Sequence, residues 1–495
     1  MAMVRKIDIH THLFNLKYLP VAGILKRYAE PYITHNIAIA IERLLISHTD
    51  SMFDNSNENF DILKKQDSNH DFFTFNKNLE INFLERDFYQ IKKEIVNVIP
   101  DEQFLEPEII TGLQEFQTEA ILDNFLAEDE IIDFTMTSSF LLEQNQNIFQ
   151  KLRNLFERLI EWLCTKVKQL ANYFKWFRFM QRSEEEILNY LVTKDEKEVD
   201  LYIHHMMDVD NFFNDNLLAK KYNSYFDFAE EQIQNMYNLN KKYNNKIFGF
   251  VAFDPSKKDC IEIIKNAIEN KGFKGIKFYP PMGYRSYDDP QYKERIEDLF
   301  QYCISKSIPL FAHCNKEGFE SQPTKHSGYN SSPMYWLKTL KKYPELRLCL
   351  AHAGGGEGWF SNVSPQDEIL ESQITDLLIG NDANQTNWNS SYAKIVFKLC
   401  VVYKNVYCDV AYLDELTHVG EYSNLRVRLL NLFRSEPIFS KKIIYGSDWH
   451  MLFQEGVNQV YISNYIKLFN EIGFSEENRD DFFRKNALNY LNLLV

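Results

Sequence analysis

The first residues with chemical potential stand near the start of the chain, in Asp8-Ile9-His10-Thr11-His12. On an extended strand, side chains two positions apart share a face. His10 and His12 would then present two imidazoles side by side, as a metal ion needs. Three more polar residues close apolar runs further along: His313 in FAHC, His352 in LAHAGG and Asp448 in YGSDWH. Any one of them taken alone reads as a hydrogen-bonded core residue. Together, four histidines and a carboxylate at the ends of buried runs make a pattern that chance rarely produces. Three nitrogen donors and one carboxylate suit Zn2+, or a divalent ion of similar preference.

Such a set needs strands that end on one rim. Eight apolar or β-branched runs supply them: 6–12, 201–207, 247–255, 273–281, 308–314, 346–355, 406–412 and 442–450. Most lack clean alternation, as strands buried on both faces do. Helical patterns separate them, at Phe226 to Tyr243, Lys257 to Asn270 and Tyr292 to Ser305. Ser332 and Pro333 read as N-cap and first position of another helix. Strands alternating with helices predict an α/β fold, a (β/α)8 TIM barrel, whose active-site face lies at the carboxyl ends of the strands. An open doubly wound sheet would share the same pattern.

Residues 14–197 differ in texture, being helical or irregular throughout. The expected division is therefore a barrel domain of 1–13 and 198–495, carrying a helical insertion subdomain, 14–197, after strand 1. The insertion holds 31 acidic and 20 basic residues, much of the chain's net charge of -15. Its segment 101–150 has twelve acids and no Lys or Arg, while 151–182 has eight bases and two acids. Phe149, Leu152, Leu155, Phe156, Leu159, Ile160, Leu163, Val167 and Leu170 recur at helical spacing. The plain reading packs the acidic block beside this basic helix. A sharper one makes Tyr173, Phe174, Trp176, Phe177 and Phe179, interleaved with Lys175 and Arg178, a surface for a membrane or partner. Leaving the barrel just after His12, the insertion is expected to border the pocket mouth.

Composition narrows the function. At 45% hydrophobic and 15% aromatic the chain can build a large core, and the acidic balance disfavours nucleic-acid binding. No run of eighteen apolar residues points to a transmembrane segment. The start MAMVRKIDIHTH lacks the apolar stretch of a signal peptide, so a cytoplasmic location is expected. Seven cysteines with no C-x-x-C pair are expected to be reduced and mostly buried.

With these motifs the chain resembles the amidohydrolase superfamily, specifically the amidohydrolase-2 branch that contains aminocarboxymuconate-semialdehyde decarboxylase. DIHTH opens the first strand, FAHC closes the fifth, a helix begins SPMYW, and YPELRLCLAHAGG and YGSDWH follow. The resemblance covers 1–13 and about 198–495. It implies His10, His12, His313 and Asp448 as metal ligands and His352 as the acid/base or electrophilic residue. It implies one divalent ion, most simply Zn2+, and often a homodimer. Lys277, at the strand-four position, has three readings: carboxylated and bridging a second ion, binding a substrate carboxylate, or structural. Tyr279 and Arg285 join it as candidate substrate-binding residues. His450 shares the parity of Asp448, whereas His204 and His205 cannot both face the site. Asp414 reads as surface.

The expected activity is metal-dependent hydrolysis of an amide, ester or lactone in a small molecule, with Asp448 and His352 as the proton-handling residues. Non-oxidative decarboxylation of a small carboxylic acid is the alternative. A barrel used only for binding or scaffolding, through the helical insertion, is the non-enzymatic one.

Overall fold

A computed structural model of the 495-residue chain describes residues 6–29, 32–49, 92–134, 146–195, 199–209, 231–356, 392–413 and 422–493, with short gaps inside those spans, and the single residues Trp359 and Leu416. The chain divides into two compact units, one of Met1–Leu13 with Leu188–Val495, the other of Phe14–Ile187.

The first unit is built on eight parallel strands in sequential order: β1 (Lys6–Thr11), β2 (Val199–His205), β3 (Ile247–Phe253), β4 (Gly275–Phe278), β5 (Leu310–Ala312), β6 (Leu348–Leu350), β7 (Val406–Asp409) and β8 (Ile443–Ile444). Two backbone bonds tie the last strand's end to the first: Ile9 N donates to Tyr445 O at 3.1 Å, and Asp448 N donates to His10 O at 2.8 Å. The sheet is therefore a (β/α)8 barrel rather than an open doubly wound sheet.

The strands are shorter than the apolar runs that announce them. The run 346–355 contributes only three ladder residues before a 3-10 turn at Ala351–Gly354, and 442–450 contributes only two before the helix Trp449–Glu455. The ladder stops where the polar rim begins. Inside the barrel, Ile7, Ile203, Phe250, Phe311, Cys349, Tyr407 and Ile444 form one buried apolar cluster. Two residues beyond Ile203, Phe311 and Tyr407 stand His205, His313 and Asp409. The two-residue period of a strand carries each onto the same interior face, one layer up. The β1–β2 register shifts between Asp8 and Thr11, an irregularity of the kind that re-aims side chains beside active sites.

Helices cover the outside. Pro333–Lys342 begins as its sequence predicts, with the Ser332 side chain accepting from Met334 N at 3.3 Å. The helices Cys260–Asn270 and Lys293–Lys306 match their patterns to within three residues. The next pattern survives as Ile233–Lys242; residues 226–230 lie outside the described residues. All seven cysteines are free, and six are buried.

The second unit is helical: Val21–Ala29, His35–Ile46, Pro107–Leu122, Gln146–Lys166 and Leu170–Met180 are its longer elements. Gly112 lets two of them meet closely, because an added Cβ would lie 2.6 Å from both Ala40 Cβ and Asn36 O. The acidic segment does meet the basic helix: Lys166 pairs with Asp123 at 2.8 Å and Arg158 with Glu130 at 2.9 Å. The aromatic stripe is core rather than surface. Tyr173, Phe174, Trp176, Phe177 and Phe179 are all buried, and Tyr173 packs on Tyr28 with ring centroids 4.7 Å apart. Leu152, Leu155, Phe156, Leu159, Ile160 and Leu163 supply the rest of that helix's apolar face. Among the described residues, no helix is long and apolar enough to cross a membrane.

Candidate metal centre

Two overlapping groups of donors meet at the carboxyl end of the barrel. His10, His12 and Asp448 have ligand atoms within 4.8 Å of one another, and so do His10, His352 and Asp409. All are buried. His313 joins through His352, its Nδ1 lying 3.2 Å from His352 Nε2. The five residues singled out at the strand ends thus lie in one buried neighbourhood, with His10 shared by both groups and His313 on the flank.

The hydrogen bonds decide which nitrogen of each ring faces inward. A backbone carbonyl can only accept, so the imidazole nitrogen beside it must carry the proton. His12 Nδ1 donates to His205 O at 2.7 Å, His352 Nδ1 to Ala411 O at 2.9 Å, and His313 Nε2 to Glu317 O at 2.6 Å. His10 Nδ1 lies 2.9 Å from the Asp409 carboxylate. The opposite nitrogens, His10 Nε2, His12 Nε2, His352 Nε2 and His313 Nδ1, are left with lone pairs. His313 Nδ1 and His352 Nε2 lie 3.2 Å apart. His12 Nε2 also lies 3.6 Å from the Asp448 carboxylate. Such a donor-rich hollow, with each ring oriented from behind, fits a divalent cation.

The electrostatics point the same way. Burial first, and then Lys277 and neighbouring imidazoles, hold His10, His12 and His313 well below the ordinary histidine range. They are neutral at physiological pH, as ligands must be. Burial pushes Asp448 up to about 7, against the pull of Lys277 and with the push of Asp409 and Asp8. Its proton is exchangeable near neutrality.

Lys277 is buried in this neighbourhood. Its Nζ lies 3.4 Å from His10 Nε2 and 4.6 Å from the Phe311 ring centroid. Burial brings the amine down to about 8, although Asp448 and Asp409 favour its charge. Tyr279 packs against His313, with centroids 4.7 Å apart, and its hydroxyl accepts from Phe319 N at 2.8 Å. Gly318 permits that closeness: its φ is +143°, and a Cβ there would stand 2.6 Å from the Tyr279 hydroxyl. Arg285 is engaged elsewhere. Its guanidinium donates to Tyr335 Oη at 3.3 Å and Asp288 O at 2.9 Å, bracing the loop after β4.

Backbone strain concentrates at the same place. His352 has φ 59° and Asp448 φ 50°, left-handed values that cost non-glycine residues energy and cluster at functional sites. Asp8 helps to hold the second of these turns, accepting from Ser447 N at 3.0 Å and from His10 N at 2.9 Å.

Two polar residues of the interior escape the strand-end pattern. Asp409 was hidden inside the run VYCDVAY; the available signal was a lone carboxylate in an otherwise apolar strand. His205 turns inward, 5.0 Å from His10 and 3.9 Å from Phe311 by ring centroids, while its Nε2 donates to Ile9 O at 2.7 Å. His204 points away and accepts from Leu13 N at 3.0 Å. His450 is buried beside Trp449, at a centroid distance of 4.3 Å. Asp414 lies outside the described residues.

A family model described as amidohydrolase, that of the amidohydrolase-2 family, matches residues 226–371. No curated protein matches the chain. Among solved structures, 2,6-dihydroxybenzoate decarboxylase from Rhizobium is 12% identical, aligned over 65% of this chain and 92% of its own, with a TM-score of 0.41. 5-Carboxyvanillate decarboxylase from Novosphingobium aromaticivorans, complexed with manganese, is 15% identical over 78% and 93%, with a TM-score of 0.38. A putative 2-pyrone-4,6-dicarboxylic acid hydrolase from Pseudomonas putida is 12% identical over 62% and 87%, with a TM-score of 0.36. The segment 226–371 thus matches the amidohydrolase-2 family model, and it lies within a (β/α)8 barrel that carries a rim of buried donors.

Proposed function

We propose that the chain is a metal-dependent hydrolase that cleaves an amide, ester or lactone bond of a small molecule. The observation that carries the metal requirement is the set of imidazole lone pairs turned inward by their own hydrogen bonds, together with the buried Asp448 carboxyl. His10, His12, His313 and Asp448 would hold the ion, and three nitrogens with a carboxylate favour Zn2+. A divalent ion there supplies a Lewis acid that makes water more acidic and polarises a carbonyl.

The chain's own residues handle the proton. Asp448 would take a proton from the attacking water and return it to the departing nitrogen or oxygen. The water oxygen ends on the carbonyl carbon and the scissile bond breaks. His352 works through Nε2, because its other nitrogen is committed to Ala411 O; it orients the water or the carbonyl group. Lys277 contributes positive charge within the same enclosure.

That buried cation also favours a second reading, non-oxidative decarboxylation, in which Lys277 holds a substrate carboxylate. There the carbon–carbon bond breaks, carbon dioxide departs and a proton takes its place. Isotopes separate the two. Purified protein loaded with Zn2+ or Mn2+ is offered lactones, esters, amides and aromatic acids in oxygen-18 water and in deuterium oxide. Hydrolysis puts oxygen-18 into the acid product; decarboxylation puts deuterium on carbon without it. A chain that binds no divalent metal and turns over none of these, with His10→Ala indistinguishable from it, would rule out both.

A further inference from the structure

Strand β7 lends no side chain to the proposed ligand set, yet its carboxyl end touches two members of the site. The Asp409 carboxylate is completely buried. Its Oδ2 faces His10 Nδ1 at 2.9 Å, while its Oδ1 accepts from His352 N at 2.7 Å and Ala411 N at 3.1 Å. Two residues on, Ala411 O accepts the ring proton of His352 at 2.9 Å. Asp409 and Ala411 therefore grip His10 by its ring and His352 by both backbone and ring. The segment is itself anchored, since the Tyr461 hydroxyl bonds to Val410 O and accepts from Leu413 N at 2.9 Å.

A carboxylate is a costly choice for such a place. Taking it out of water carries a large desolvation penalty that its partners must offset. Asparagine has the same shape and would still accept from both backbone N–H groups. What asparagine would not do is guarantee an acceptor opposite His10 Nδ1. With its other oxygen taken by two backbone N–H groups, the carboxylate oxygen 2.9 Å from His10 Nδ1 is placed to accept from it, which sets the His10 proton on Nδ1 and leaves the Nε2 lone pair turned inward. At the same time its other oxygen holds His352 in a left-handed conformation, φ 59°, that the residue would not adopt unaided.

We infer that Asp409 is a positioning residue that fixes the tautomer of His10 and the backbone of His352 together, registering the two sides of the metal centre through one buried carboxylate. The assignment rests on the proposed function only in taking the inward lone pair to serve a metal.

Two variants divide the roles. Asp409→Asn keeps an acceptor for His352 N but disturbs His10; Asp409→Ala removes both contacts. In metal-free wild type, nitrogen-15 NMR of the histidines should show His10 protonated on Nδ1. Asp409→Asn should shift that proton to Nε2 and weaken Zn2+ binding, measured by chelator competition, by about 10- to 100-fold, the usual effect of losing a partner behind a ligand. Thermal unfolding of the metal-free Asn variant should stay near wild type. Asp409→Ala should weaken Zn2+ further and also move the His352 resonances. An unchanged His10 tautomer in Asp409→Asn, or wild-type Zn2+ affinity in that variant, overturns the inference. So does an Nε2-protonated His10 in wild type, which needs no variant to fold. If the tautomer shifts as expected but neither protein binds Zn2+, the metal reading falls and the positioning role stands.

Discussion

The two units bury polar groups in opposite ways. The barrel gathers them: His10, His12, His205, Lys277, His313, His352, Asp409 and Asp448 are each no more than 7% exposed, and they share one neighbourhood. Among the described residues, the helical unit scatters its buried polar groups, and several are paired singly. Glu42 accepts from Ala22 N at 2.8 Å, Gln181 donates to Leu45 O at 2.9 Å, and Lys92 pairs with Glu161 at 3.1 Å. Around them the helical core is apolar and aromatic. A gathered cluster of neutral imidazoles and raised carboxyls is poor packing and poor solvation, and it persists where chemistry needs it. Scattered, individually bonded groups are what stability alone produces.

The difference can be broken at either end. The largest effect should come from the gathered cluster. His10→Ala should remove bound metal and lower turnover by about 1,000-fold or more. Metal analysis and steady-state kinetics check this; a variant retaining full metal and rate would dissolve the contrast. In the helical unit the matching large change is in packing. Phe177→Ala, at a fully buried position, should cost about 3–5 kcal/mol in urea unfolding while metal content per folded chain stays at the wild-type value.

Chelation sharpens the comparison from the barrel side. Metal held at about 100 times its dissociation constant adds about 2.7 kcal/mol to stability. EDTA should therefore lower the melting temperature of wild type, and His10→Ala should show no such drop. Calorimetry with and without EDTA reads both.

Glu42 supplies a pH test away from the metal. Burial raises its carboxyl from 4.5 to about 7 in the folded chain. The folded state thus holds the proton over a range in which the unfolded state has released it. Stability is full below the unfolded value and falls as pH rises toward about 7, by about 3 kcal/mol at most. Glu42→Gln should flatten that slope in urea titrations at several pH values. The smallest effect belongs to Arg285. With its guanidinium bound to Tyr335 and Asp288 O, Arg285→Ala should change kcat/KM by about threefold or less, a value reached by comparing progress curves. A loss of about 100-fold would place Arg285 on the substrate.

The strand ends were legible because a buried run that stops at His or Asp is unusual, and the two-residue period says which neighbours share its face. That logic reaches His10, His12, His313 and Asp448. It reaches Asp409 and His205 less readily. Asp409 sits within its run rather than closing it, and for His204 and His205 parity says only that one of the pair faces inward. The polar tips of Tyr279 and Arg285 were beyond it as well, since loops after strands carry no period. Helix boundaries followed capping chemistry at Ser332, where the side chain and the following proline act locally. The aromatic stripe at 173–179 had two readings, and only packing against residues such as Tyr28 made it core.

What the amino-acid order determined by itself is local: alternating strand and helix patterns, an apolar layer two residues beneath a polar one, and donors at the rim. Those follow from periodicity and capping, which act over a few residues. The tertiary structure alone decided which nitrogen of each imidazole turns inward, because the carbonyls of His205, Glu317 and Ala411 and the carboxylate of Asp409 come from distant strands or from loops. It also decided the raised carboxyl of Asp448 and the lowered amine of Lys277, since desolvation exists only once the barrel has closed around them.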